Sequence, residues 1–162
     1  MECEGTLVYA AKFFCGGFAP DVDIRVVDEP VEPGHYSTAI NVHNPHPRRC
    51  AHFRKKAVLL FQATLNRPPA RAPFEPPMPP GPLIQVELKP DWALEITGRE
   101  IREELLNLSP VPGPLPFITG WVVIEVGAST PLDVVAAYTA RPFDGQSIAM
   151  TVDRVRPTSI CD

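Results

Sequence analysis

The stretch that most constrains the fold of this chain is YSTAINVHNPHPRRCAHFRKKAVLLF, from Tyr36 to Phe61. Tyr36, Thr38, Ile40 and Val42 alternate with Ser37, Ala39, Asn41 and His43, the period-two pattern of a half-buried strand. Asn44-Pro45-His46-Pro47 then interrupts it, because proline lacks the amide proton that a ladder needs and restricts the residue before it. The chain resumes at Ala51–Phe61 as a second strand, basic at its start and apolar at its end. The pattern reads as a hairpin-like strand–turn–strand unit on which the other elements depend as partner.

Similar patterns fill the rest of the chain. Thr6–Phe14 is apolar on both faces and reads as a strand ended by Cys15-Gly16-Gly17, and Val22–Val27 alternates as another. Further strands are expected at Leu83–Leu88, Trp92–Ile96, Phe117–Val126, Leu132–Ala140 and Ser147–Val155, with Asp144-Gly145 as a hairpin turn before the last. Only Gly98–Leu108 has helical spacing, with Ile101, Leu105 and Leu108 on one stripe. The expected core pairs Trp121 and Val123 with Tyr138, Ile40 and Val42.

Strands outnumber the helix, and no β–helix–β rhythm occurs. The expected fold class is therefore all-β, a two-layer antiparallel β-sandwich of immunoglobulin-like or jelly-roll type with one short helix. At 162 residues the chain is expected to form a single domain, 1–162. Within it lie an N-terminal arm (1–5), proline-rich loops at 67–82 and 109–116, and the helix at 98–108. Twelve of the 21 prolines fall in Pro68–Pro82 and Pro110–Pro116, so they read as stiff polyproline-like connectors within a folded domain.

Charge is distributed unevenly. Residues 33–74 carry +7 with no acid, which leaves −11 for the rest of a chain whose net charge is −4. That asymmetry suggests an acidic partner, a second copy, or pairing between neighbouring strands of one molecule. Arg48, Arg49, Arg54, Lys55 and Lys56 are the interface candidates in this segment. Phe53 and His52 interleave with them, but a pI near 5.6 argues against nucleic acid as a partner.

No constellation for chemistry emerges. Ser147 follows Gly145 without a GxSxG context, Glu103 and Glu104 sit on the polar side of the helix, and no phosphate-binding glycine loop occurs. No catalytic residue and no cofactor is assigned, and the chain is expected not to be an enzyme. His43, His46, Cys50 and His52 are the one alternative for a metal, because imidazole and thiolate are natural zinc donors. Two prolines and the Arg48-Arg49 pair oppose that reading, so metal binding is not the expectation. The opening residues lack a charged-then-apolar leader, and no apolar run is long enough to span a bilayer. A cytoplasmic location is the default, with a surface or extracellular filament as the alternative.

Tyr36–Pro45, Phe53–Lys56, Gly120–Glu125 and Leu132–Thr139 together resemble small uncharacterised bacterial single-domain β-sandwich proteins. That resemblance implies the sandwich fold and supplies no catalytic residues. In architecture, the chain is also similar to the subunits of bacterial endospore appendages, which implies assembly by strand complementation and intersubunit disulfides. Cys3 and Cys161, near the two ends, are the cysteines placed for such bridges. The functional expectation is a non-enzymatic structural protein that self-assembles into a homo-oligomer or filament, with the N-terminal strand pairing on a neighbour. The alternative is a binding module that presents the basic turn or the proline-rich loop to another protein or polyanion.

Overall fold

The computed structural model describes residues 5–18, 34–62, 79–109, 113–143, 145 and 148–161. Among the described residues nine strands run in chain order as β1 (Thr6–Phe18), β2 (Gly34–His43), β3 (Ala51–Gln62), β4 (Ile84–Leu88), β5 (Ala93–Ile96), β6 (Ile118–Gly127), β7 (Asp133–Pro142), β8 (Ala149–Arg154) and β9 (Thr158–Ile160). A short helix, α1 (Gly98–Glu100), continues as a wider turn over Ile101–Leu105 between β5 and β6. The fold is an all-β antiparallel sandwich. The expected strand at Val22–Val27 lies outside the described residues, as does most of the loop at 67–82.

Hydrogen bonding follows the order β4-β3-β6-β1-β2-β7-β8, with β9 on β1 and β5 on β2. β1 belongs to both layers. Thr6–Cys15 pair with β6, whereas Gly16–Phe18 pair with β2. The expectation that Cys15-Gly16-Gly17 ends the strand is thus corrected: the glycines carry it from one layer into the other. Gly16 has φ +99°, and a Cβ there would stand 2.3 Å from the Pro116 carbonyl oxygen, so both backbone shape and space demand glycine.

The hairpin-like pairing expected between β2 and β3 does not form. β2 pairs with β1, β5 and β7, and β3 pairs with β4 and β6, so the Asn44–Cys50 connection crosses between layers. Asn44 holds that crossing. It is fully buried, and its side-chain NH2 donates to the carbonyls of Arg49 (2.8 Å), Leu88 (3.0 Å) and Lys89 (3.1 Å). A two-residue turn could have returned the chain beside β2, but seven residues with two prolines favour a longer excursion.

The core lies between the layers. Tyr9, Phe13, Ile118, Val122 and Ile124 face Ile40, Val42, Val134 and Ala136 from the other side. Burying each large apolar side chain contributes roughly 1.5–3 kcal/mol. Ile40 and Val42 are buried as expected, and Tyr138 packs at the core margin. Trp121 and Val123 are misplaced by the sequence pattern: Val122, Ile124 and Val126 point inward, and Trp121 is 41% exposed. β6 is apolar on both faces, so periodicity could not choose its phase. Phe13 pairs opposite Gly120, where a Cβ would come within 2.8 Å of its ring. Glycine at 120 thus leaves room for the phenyl group.

Thr97 caps the helix, its hydroxyl accepting the Glu100 N–H at 3.3 Å. The helical backbone stops at Leu105, three residues before the expected end. The Leu106 N–H donates to the Ile101 carbonyl and Asn107 takes φ 52°, which turns the chain out of the helix. Arg102 is buried and donates to the carbonyls of Cys15 (2.9 Å) and Pro116, pinning the helix beside the bend of β1.

Candidate interaction surfaces

The basic run at the start of β3 is divided by strand alternation. Phe53, Lys55 and Ala57 point inward, while Arg54 and Lys56 point to the outer face. Lys55 is only 6% exposed and forms a partly buried ion pair with Glu100 of α1. On the outer face Arg54 reaches Glu125 of β6 at 2.9 Å, and Lys56 reaches the same carboxylate at 3.1 Å. The ladder places Arg54 directly across from Glu125, so these contacts follow from register. Three of the five basic interface candidates are therefore occupied within the molecule. Arg48 and Arg49 are exposed in the crossing turn, and no ion pair engages either among the described residues.

The histidines and Cys50 do not converge. His43 Nε2 lies 3.2 Å from Asp91 Oδ1, and its Nδ1 lies 3.9 Å from Asp133. His46 Nδ1 accepts the N–H groups of Arg48 (3.3 Å) and Arg49 (3.2 Å), which occupies its lone pair in shaping the turn. His52 stands on β3 opposite Glu87 of β4, in the other layer from His43. Among the described residues no three His, Cys, Asp or Glu side chains are grouped to hold a metal ion. A polar groove of about 530 Å³ on the outer face is lined by His52, Arg54, Gln85, Glu87 and Glu125, of which Arg54 and Glu125 are paired with each other.

The three described cysteines differ in exposure, with Cys50 half-buried between the other two. Cys15 is buried, and desolvation pushes its thiol up, against the opposing influence of its contacts with Thr38 and Arg102. Cys161 is a free, exposed thiol just past β9, whose Ile160 pairs opposite Thr6. Cys3 lies outside the described residues. Among those described, no helix is long and apolar enough to cross a membrane.

Two apolar surfaces escaped the sequence reading. On the outer face of the first layer, Lys12 Nζ sits 5.0 Å from the Trp121 ring centre and 5.7 Å from that of Phe14. Burial against these rings lowers the Lys12 pKa. The second surface is β8, all six residues of which are exposed; Met150 is 70% and Val152 57% exposed. Its alternation with Thr151 and Asp153 was legible, but its position at the end of the hydrogen-bonded path was not.

The edges of this sandwich differ in their protection. β4 turns Gln85 and Glu87 to solvent, β5 has four residues including Glu95, and β9 has three residues after Pro157. Charge, brevity and proline all discourage a second chain from adding to an edge. β8 has no proline and no lysine, pairs with β7 without a register shift, and exposes Met150 and Val152, with Ile148 just before it. β1, expected to serve a neighbour, is instead flanked within the molecule by β6, β2 and β9.

No family model and no curated protein sequence matches the chain. Among solved structures, one similar to it is the crystal structure of Thermotoga maritima 1070. The two share 10% identity over 96% of this chain and 95% of that one, with a TM-score of 0.44.

Proposed function

We propose that this protein acts by association rather than by chemistry, as a structural β-sandwich that self-associates through the edge of its second layer. The observation that supports this reading is β8, a six-residue strand that ends the hydrogen-bonded path among the described residues, with exposed apolar side chains and neither proline nor lysine. Unpaired edge N–H and C=O groups are complementary to another extended strand, and apolar side chains alongside them favour excluding water. A six-residue edge is smaller than the roughly 800 Å² per partner of a standard interface, so a contact confined to it is weak and concentration-dependent. Cys161, free and exposed, supports a further step in which an intersubunit disulfide secures the assembly in an oxidising location.

Size-exclusion chromatography with light scattering, over a range of concentrations with and without reductant, tests the proposal. The expected result is a mass that rises with concentration in both conditions, and further without reductant. A constant monomer mass throughout would overturn it.

A second reading rests on Arg48 and Arg49, whose guanidinium groups have no ion pair among the described residues. In that reading the crossing turn binds an acidic protein segment or polyanion. The Arg48→Glu/Arg49→Glu double variant would lose capture by an acidic peptide while retaining any self-association.

A further inference from the structure

We infer that the core-side surface of β7 and β8, beside the Phe14–Tyr138 ring contact, is a binding site for a small neutral molecule with one aromatic ring and a hydroxyl group. A pocket of about 180 Å³ lies there, lined by Phe14, Tyr36, Tyr138, Ala140, Ala149 and Thr151 among others. It opens to solvent on the side of β8, where Ala149 and Thr151 are exposed.

Strand register makes this pocket. Tyr36 stands opposite Ala140, Ala140 stands opposite Ala149, and Tyr138 stands opposite Thr151. Directly opposed residues share a face of the sheet, and Tyr138 and Ala140 continue the phase of the buried Val134 and Ala136. These side chains therefore face the core side of the second layer. Two alanines between two tyrosines leave a hollow, because a methyl group fills far less depth than a phenol. Phe14 of β1 closes one side, its ring centre 6.1 Å from that of Tyr138 in an edge-on arrangement.

Size, shape and polarity select the ligand. A dry cavity of about 150 Å³ suffices to hold benzene, so this pocket takes one ring with a small substituent. Phe14, Tyr36 and Tyr138 offer ring faces and edges to another ring, the arrangements that aromatic pairs prefer. No lining residue is charged, so nothing in the wall offsets the desolvation of an ionic ligand. Tyr138 and Thr151 bring hydroxyls, each able to donate and to accept. Burial raises the Tyr138 pKa above its ordinary value, which keeps that phenol a donor.

Phenol is the probe, titrated into the full chain at a concentration where light scattering shows monomer. The methyl resonances of Ala140, Ala149 and Thr151 are expected to shift and saturate together, while those of Val123 on the outer face of the first layer stay fixed. Cyclohexanol, of like size but without a π face, is expected to bind roughly 2- to 12-fold more weakly. Tyr138→Phe keeps the ring and is expected to weaken phenol by roughly 2- to 12-fold while leaving benzene unaffected. Ala149→Leu extends a side chain into the pocket from an exposed position and is expected to abolish the phenol shifts. An unchanged urea midpoint shows that this variant folds. No saturable shift in the wild type, shifts that Ala149→Leu leaves unchanged, or cyclohexanol binding as tightly as phenol would overturn the site. Benzoate binding as tightly as phenol would overturn its assignment to a neutral ligand.

Discussion

Tyr9 and Leu132 form a closed pair of hydrogen bonds between the two layers. The phenol hydroxyl donates to the Leu132 carbonyl at 2.8 Å and accepts the Leu132 N–H at 3.0 Å. The contact fastens β1 to the start of β7 from 123 residues away in sequence, where no strand ladder joins them. Thr38 makes a similar contact, its hydroxyl donating to the Phe14 carbonyl at 3.0 Å and accepting the Phe14 N–H at 2.9 Å. A Tyr9→Phe change keeps the ring but leaves the buried polar backbone of Leu132 without this partner. The expected loss is about 1–3 kcal/mol, read from the urea midpoint.

Alkaline pH acts on the same contact. Burial raises the pKa of Tyr9, Tyr138 and Cys15, in each case as the largest cause. The protonated form is thus favoured in the folded state. Its stabilising contribution is full below the ordinary thiol and phenol values and is lost as pH rises through the raised ones. Lys12, lowered by burial, contributes in the opposite sense. Denaturation midpoints are expected to fall above about pH 9, and less steeply in Tyr9→Phe and Cys15→Ala. Midpoints that stay level to about pH 11 in wild type would contradict the burial of these groups.

Inward and outward positions of β6 should separate clearly. Ile124→Ala, like Ile40→Ala, removes a fully buried side chain and is expected to cost about 2–5 kcal/mol. Trp121→Ala, despite the larger deletion, is expected to cost less, because the indole is already 41% exposed. Thermal melts of the three variants provide the comparison, and the reverse order would contradict the register.

The alternating chemistry of Tyr36–His43 was legible because that strand has one dry and one wet face. The all-β class, the antiparallel arrangement and most strand positions followed from such patterns. The phase of β6 was not legible, since Trp121-Val122-Val123-Ile124 is apolar on both faces. Neither was the layer change at Gly16, which depends on the distant Pro116 and Arg102. The +7 segment announced a charged surface, but its sequence could not show that Glu100 and Glu125 meet Lys55, Arg54 and Lys56. The place of β8 at the end of the described strand order was hidden for the same reason: an edge is a property of strand order, not of the strand's own residues.

The divided basic run makes a further test. Removing Glu100 from its pair with Lys55 is expected to cost about 3–5 kcal/mol, because the Lys55 charge is left inside. Replacing both by apolar residues of similar volume should recover most of that loss. Reversing Arg48 and Arg49, which are exposed, should leave the urea midpoint unchanged.

Concentration-dependent amide hydrogen exchange is the most direct measurement on the central claim, that β8 is an association edge. At micromolar protein, β8 amides pointing away from β7 are expected to exchange quickly, as the amides on the open edge of β4 also should. At millimolar protein, the β8 amides are expected to slow while those of β4 remain fast. In Val152→Lys, which places a charge on the edge, that slowing should disappear. Exchange at β8 that is the same at both concentrations, in wild type and variant alike, would contradict the account.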